Sequence, residues 1–326
     1  MQFRRPRTRR RTVEPAQAFP RGRIRPMFFI DPIAIRLGPI QVHWYGIIIA
    51  TAVLAGALLG TVEARRRGED PDKGWSMLLV VIVTSIVGAR LYHVIHEWGP
   101  VYSKDPLLIP QIWNGGIGIP GAIIGGVLGI WWYTRRNAMP FARWLDIFAP
   151  ALLLGQAIGR LGNYVNQELY GPPTNLPWGI PIDAFHRAGT PWDVISYPVA
   201  TTRFIPLFAY EAILNLIGMA LLLYVARRYA RRLFDGDIAL LYIVWYGWVR
   251  SALETLRVGN WYIGPLPTAT WLGLAGVLVA AAFLILRHAG GWGTPGAWMH
   301  RSADTTETDG GASAPTPPPR SEPTPG

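Results

Sequence analysis

Seven stretches of about 20 mostly apolar residues follow one another along this chain, and no other feature constrains its fold as much. A helix needs roughly 20 such residues to cross the hydrocarbon core of a bilayer. The stretches fall at 43–62, 75–95, 111–133, 144–162, 206–226, 237–256 and 266–287. Only 16% of the residues are charged, against roughly 25% in a soluble domain. The expected fold class is therefore an all-α polytopic membrane protein with about seven transmembrane helices, its membrane domain occupying residues 27–288. The third stretch is the least regular. Its QIWNGGIGIPGAIIGGVLG run, with Pro120 and repeated glycines, predicts a break at Gly115 and Gly116, as in a helix interrupted within a bundle.

Arginine in the short connections sets the expected orientation. Arg65, Arg66, Arg67 and Lys73 follow the first stretch, Arg135, Arg136 and Arg143 the third, and Arg227, Arg228, Arg231 and Arg232 the fifth. These connections are expected in the cytoplasm, which puts the N-terminus outside, the C-terminus inside, and 163–205 outside as a small extracytoplasmic cap. Six prolines in that segment predict turns and short strands rather than long helices. The first 26 residues hold nine arginines against one glutamate, and such a tail resists crossing a membrane. One resolution is that the chain starts at Met27. Residues 289–326, rich in Gly, Pro, Ser and Thr, read as a disordered cytoplasmic tail. The net charge of +11 is thus concentrated in a tail and in orienting loops, and nucleic acid is not an expected partner.

Ionisable side chains inside spans are costly and mark functional sites. Arg90, Arg160, Glu211, Arg250 and Glu254 all fall in the outer halves of their stretches. Arg250 and Glu254 share a helix face, and Arg257 continues it. Converging guanidinium groups suit the phosphate of a lipid, which they bind in a bidentate manner at any relevant pH. Interfacial anchoring is the competing reading for each, most strongly for Arg257. The chain holds no cysteine, so a thiol in the chemistry must come from a partner; no metal or other cofactor is expected.

The segment GRLGNYVNQELYG at 159–171 places Arg160, Asn163, Asn166 and Glu168 between glycines where the fourth span meets the cap. It resembles the signature of the prolipoprotein diacylglyceryl transferases, with Tyr164 in a position where that family carries Phe. HWYG at 43–46, GARL at 88–91, WNGG at 113–116, YE at 210–211 and RSALETLR at 250–257 follow the family's order, and the resemblance covers about residues 27–288. It implies a bacterial cell-membrane enzyme that moves the diacylglyceryl group of phosphatidylglycerol to the lipobox cysteine of a prolipoprotein signal peptide, releasing glycerol 1-phosphate. By motif position it implies that Arg160 and Arg250 hold the phosphate, with Tyr45, Asn163, Glu168, Gly171, Tyr246 and Glu254 in the site and Arg257 in support. Asn166 and Arg90 are further candidates for substrate binding. Two departures stand out. Many family members carry His-Gly-Gly where this chain has Pro120-Gly121-Ala122, and many carry His-Pro where it has Ile205-Pro206. His43, His93 and His96 remain as imidazoles to take the thiol proton, His43 foremost because it neighbours Tyr45. The alternatives are an arginine-rich field that lowers the thiol pKa, an impaired paralogue that binds lipid without turnover, and a transporter. Replacing Arg160 or Arg250 is expected to abolish transfer, and replacing Arg227 or Arg228 is not.

Overall fold

The computed structural model describes residues 30–296 apart from 39, 258, 261 and 293. The basic tail, the start at Met27 and residues 297–326 of the expected C-terminal tail lie outside the described residues. Seven long helices run in the order α1 Trp44–Arg66, α2 Pro71–His96, α3 Ile119–Arg136, α4 Phe141–Val165, α5 Leu207–Arg228, α6 Asp237–Glu254 and α7 Thr268–Gly290. Five of them, all but α3 and α6, are long and apolar enough to cross a membrane, and the molecule is a multi-pass membrane protein. The shortfalls have plain causes. Glycines, tryptophans and two terminal arginines dilute α3, and α6 carries Asp237, Arg250 and Glu254.

The third apolar stretch does break at the expected glycines. A single tight turn at Ile112–Asn114 is followed by Gly115 and Gly116, both at positive φ, and α3 begins only at Ile119. Two short antiparallel hairpins are additions to the expected all-helical fold: β1 Ile33–Leu37 with β2 Ile40–His43 ahead of α1, and β3 Tyr262–Ile263 with β4 Leu266–Pro267 ahead of α7. Between α4 and α5 the chain is built of turns, with Phe204 bridging to both Pro173 and Ile180. Its small core is Tyr170, Ile182 and Phe204, with Trp192 packed on it. Arg187 stacks over Phe204 and donates to the carbonyls of Ile182 and Tyr197.

Inside a bilayer, close backbone approach replaces the hydrophobic effect as the source of helix association, and small residues permit it. Helix α2 meets α3 at Gly88, Gly121 and Gly125, where a Cβ on Gly121 would lie 2.1 Å from the Gly88 carbonyl oxygen. Helix α1 meets α4 through Gly56 and Gly155, each beside a carbonyl of the other helix. A Gly121→Leu substitution should therefore force α2 and α3 apart and cost about 1–3 kcal/mol. It should lower the thermal unfolding midpoint in detergent, whereas Ile123→Leu on the exposed face of α3 should not. Equal midpoints for the two variants would refute this packing.

At the bundle end opposite Arg160, charges interlock. The fully buried Glu63 pairs with Arg66 and Arg227, each at 3.0 Å, and Arg143 pairs with Glu69 at 2.8 Å and Asp235 at 3.0 Å. Asp146 accepts from Arg67 at 3.2 Å and from the backbone N–H groups of Gly236 and Ala239 at 2.8 and 2.9 Å. These contacts tie α4 to the start of α6, whose amides have no partners within their own helix.

Candidate active site

Helix α4 supplies the centre of the site near its C-terminus. Arg160 forms an ion pair with the buried Glu211 of α5 and donates to Asn163 Oδ1 at 3.2 Å. The Asn163 side chain donates in turn to Glu168 at 3.3 Å, and Asn166, which caps α4, donates to the other Glu168 oxygen at 3.1 Å. Glu168 sits between Gln167 and Leu169, both in the left-handed region at φ 52° and 54°. Non-glycine residues persist in that conformation only where their surroundings hold them. Here Gln167 is clamped by paired hydrogen bonds to Asp183, at 2.9 and 2.8 Å. The strained turn thus fixes the carboxylate that orients both asparagines.

The motif glycines now have reasons. A Cβ on Gly162 would lie 2.7 Å from the Tyr45 ring, so the glycine lets Tyr45 at the start of α1 lie against α4. Gly171 packs against Ile205 and Leu207 and donates to the Ile205 carbonyl at 2.8 Å, which joins the turn to α5.

Helix α6 brings the second arginine. Arg250 pairs with Glu254 at 2.8 Å, and Arg257 reaches the same Glu254 oxygen at 3.8 Å. Arg257 feels the charges of Arg250, Arg160 and Glu211; burial first, then the like charge of Arg250, lowers its pKa. Tyr246 interacts with Arg160 and lies in the field of Glu211 and Arg250. Of the residues expected in the site from sequence, all but His43 and Arg90 thus gather in a layer at the ends of α1, α4 and α6 and in the turns that follow α4 and α6, with Glu211 of α5 among them.

Below Arg160, between α1, α2 and α4, runs a cavity of about 460 Å³. Tyr45, Arg160 and Asn163 stand at one end, and the walls are small and apolar residues such as Ala52, Gly56, Ala57, Gly60 and Gly155, down to Trp144 and Ala64. Gln156, one turn below Arg160, adds a polar point and donates to the Tyr242 hydroxyl at 2.9 Å. The groove is apolar along its length and carries Arg160 at one end.

Two expected residues stand apart from the layer. His43 is exposed at the N-cap of α1, two residues from Tyr45. Arg90 is buried and donates to the carbonyls of Leu108, Ile109, Gln111, Gly115 and Gly116. Its guanidinium holds the segment ahead of α3 in place. Sequence reading gave no partner to Glu211 and missed Gln156 and Tyr242. For Glu211 the signal was a carboxylate in an apolar run; the other two are uncharged and left none.

The model of the family described as prolipoprotein diacylglyceryl transferase matches residues 32–286 of this chain. The chain belongs to the prolipoprotein diacylglyceryl transferase family. Among similar proteins, the phosphatidylglycerol–prolipoprotein diacylglyceryl transferase of Chloroflexus aggregans is 40% identical over 265 residues, covering 77% of this chain and 86% of that protein. The transferase of the same name from Nostoc sp. is 39% identical, covering 78% and 88%, and that of Pediococcus pentosaceus is 36% identical, covering 79% and 90%. The family match begins just ahead of β1 and ends within α7, so every residue of the arginine layer falls inside the transferase family's region.

Proposed function

We propose that this chain transfers the diacylglyceryl group of phosphatidylglycerol to the lipobox cysteine thiol of prolipoproteins, forming a thioether and releasing glycerol 1-phosphate. The cavity that runs from Arg160 and Asn163 along the apolar faces of α1 and α4 carries this reading. In it, the acyl chains lie along the groove and the phosphate meets Arg160 and Arg250. All seven long helices cross the bacterial cell membrane in this proposal, with the arginine-rich ends of α1, α3 and α5 in the cytoplasm. The arginine layer then lies near the outer leaflet, the 163–205 segment forms the extracytoplasmic cap, the N-terminus is outside and the C-terminus inside.

The chemistry follows from charge. The cysteine sulfur attacks the glyceryl carbon that bears the phosphate ester, a C–S bond forms, and the C–O bond breaks with its electron pair going to the phosphate oxygen. Arg160 and Arg250 stabilise the charge developing there, as preorganised donors do in a site shielded from water. Glu211 and Glu254 hold the two guanidinium groups in place, Tyr45 and Tyr246 line the reacting centre, and Asn163, Asn166, Glu168 and Gly171 shape its rim. Arg257 supports the phosphate, and Arg90 serves substrate binding indirectly, by holding the 108–116 segment in place. No metal or nucleotide takes part.

The thiol proton goes to His43 in this scheme, because Pro120 and Ile205 occupy two positions where many family members have imidazoles and His43 is the remaining histidine closest in the chain to Tyr45. General-base catalysis is worth about 10²–10⁴-fold, so His43→Gln should lower kcat by at least about 10²-fold and remove the acidic limb of the rate–pH profile. A loss below threefold would instead assign deprotonation to the arginine field.

Expression of the full chain in a bacterium depleted of its own prolipoprotein diacylglyceryl transferase tests the function. Restored lipidation of a reporter lipoprotein is the expected result. Failure of a well-expressed chain to restore it would favour a paralogue that binds lipid without turnover.

A further inference from the structure

A second cavity, of about 340 Å³, opens on the other side of the arginine layer, between the end of α6 and the start of α7. Arg257, Glu254 and Asn260 form its polar wall, and Ala269 and Leu272 its apolar one. Arg160 lines the long groove and not this cavity, while Arg257 lines this cavity and not the groove. The layer therefore borders two compartments, and Arg250, paired with Glu254 of the second cavity's wall, lines neither.

The ion pairs leave the layer unevenly neutralised. Arg160 has Glu211 to itself, whereas Arg250 and Arg257 share Glu254, and Arg257 takes the longer contact at 3.8 Å. That separation is beyond a hydrogen bond, and among the described residues the Arg257 guanidinium donates none. The Arg257 side chain, which lines the cavity, thus has no hydrogen-bonded acceptor among the described residues. Asn260 fixes the loop beneath it by donating to the carbonyls of Glu254 and Arg257, at 2.6 and 3.1 Å.

The transfer reaction creates a demand for such a cation. A lipid phosphodiester carries one negative charge, but the monoester that leaves carries between roughly −1.5 and −2 near neutral pH. Cleavage therefore adds negative charge at the phosphate and removes the acyl chains that kept it in the greasy groove. We propose that the α6–α7 cavity receives the phosphomonoester product, with Arg257 as its anion-binding side chain; this rests on the transferase reading above. The lipid enters one compartment with its phosphate against Arg160 and Arg250, and the product leaves through the other against Arg257.

Binding of glycerol 1-phosphate and of inorganic phosphate to the purified full chain, measured by calorimetry in lipid-free detergent micelles, tests this without any turnover. Arg257→Gln should weaken both at least tenfold. Ala269→Glu, which sets a carboxylate in the cavity and leaves every layer residue intact, should do the same. Arg160→Gln should change product affinity less than threefold while raising KM for phosphatidylglycerol. No binding to the unmodified chain, unchanged binding in Ala269→Glu, or a larger loss in Arg160→Gln than in Arg257→Gln would each overturn the assignment. A chain that binds phosphate through Arg257 but transfers no lipid would remove the transferase reading and leave the anion site standing.

Discussion

Arg160→Ala lowers transfer by at least about 10²–10³-fold, the loss found when one preorganised donor to a developing oxyanion is removed. Two effects combine in that variant. The phosphate loses a bidentate partner, and the buried Glu211 loses its counter-ion, which is costly in its own right. They separate in a double variant. Arg160→Ala with Glu211→Gln removes the uncompensated carboxylate, so it should recover thermal stability without recovering transfer. Arg160→Lys keeps the charge but not the planar fork and should retain only a small part of the activity. The matching control is Arg228→Ala, since among the described residues Arg228 only stacks on the neighbouring Tyr229. Arg227 is a poorer control than its sequence position suggests, because it pairs with the fully buried Glu63. Recovery of transfer in the double variant would show that Arg160 serves only to neutralise Glu211.

Asp146→Leu carries the largest expected loss of stability. Breaking one partner out of a buried ion pair costs about 3–5 kcal/mol, and this carboxylate serves Arg67 and two backbone amides of α6 at once. The consequence reaches the active site through geometry. Helices α4 and α6 run parallel from the Asp146 contact, and Arg160 lies about four turns and Arg250 about three turns beyond it. The contact at one end therefore sets the relative height of the two arginines at the other. Thermal unfolding in detergent should show the lowered midpoint. A double Arg67→Met, Asp146→Leu variant should recover part of it, because apolar replacement of a whole buried pair is often tolerated. A midpoint unchanged by Asp146→Leu would mean that the contact does not secure α6.

Much of the helical plan was legible in the chain because the bilayer imposes a length that sequence must meet. The apolar stretches predict the long helices to within a few residues at most ends, and Gly115 with Gly116 announces the break ahead of α3. The β1–β2 hairpin was not legible: its Ile-rich strands read as the approach to the first span. The arginines at the far end of the bundle read only as orientation signals. That Arg67 meets Asp146, or Arg227 meets Glu63, depends on residues far apart in sequence, and spacing carries no trace of such pairs. Arg90 shows the same gap at the site, where an intramembrane arginine next to a glycine motif suggested a ligand contact. Its donors are taken by carbonyls of a loop whose path only the fold determines. Within 159–171, by contrast, the residues that act together are close in sequence, and so their grouping was readable.

Transfer of a diacylglyceryl group onto a cysteine thiol can be observed directly. Mass spectrometry of a lipobox peptide incubated with the purified full chain and phosphatidylglycerol, without added metal or nucleotide, tests it most directly. The expected result is one diacylglyceryl adduct on the cysteine, one glycerol 1-phosphate released per adduct, and no adduct on a peptide with serine in its place. An unmodified cysteine peptide, under conditions where a family member from another bacterium modifies it, would contradict the account.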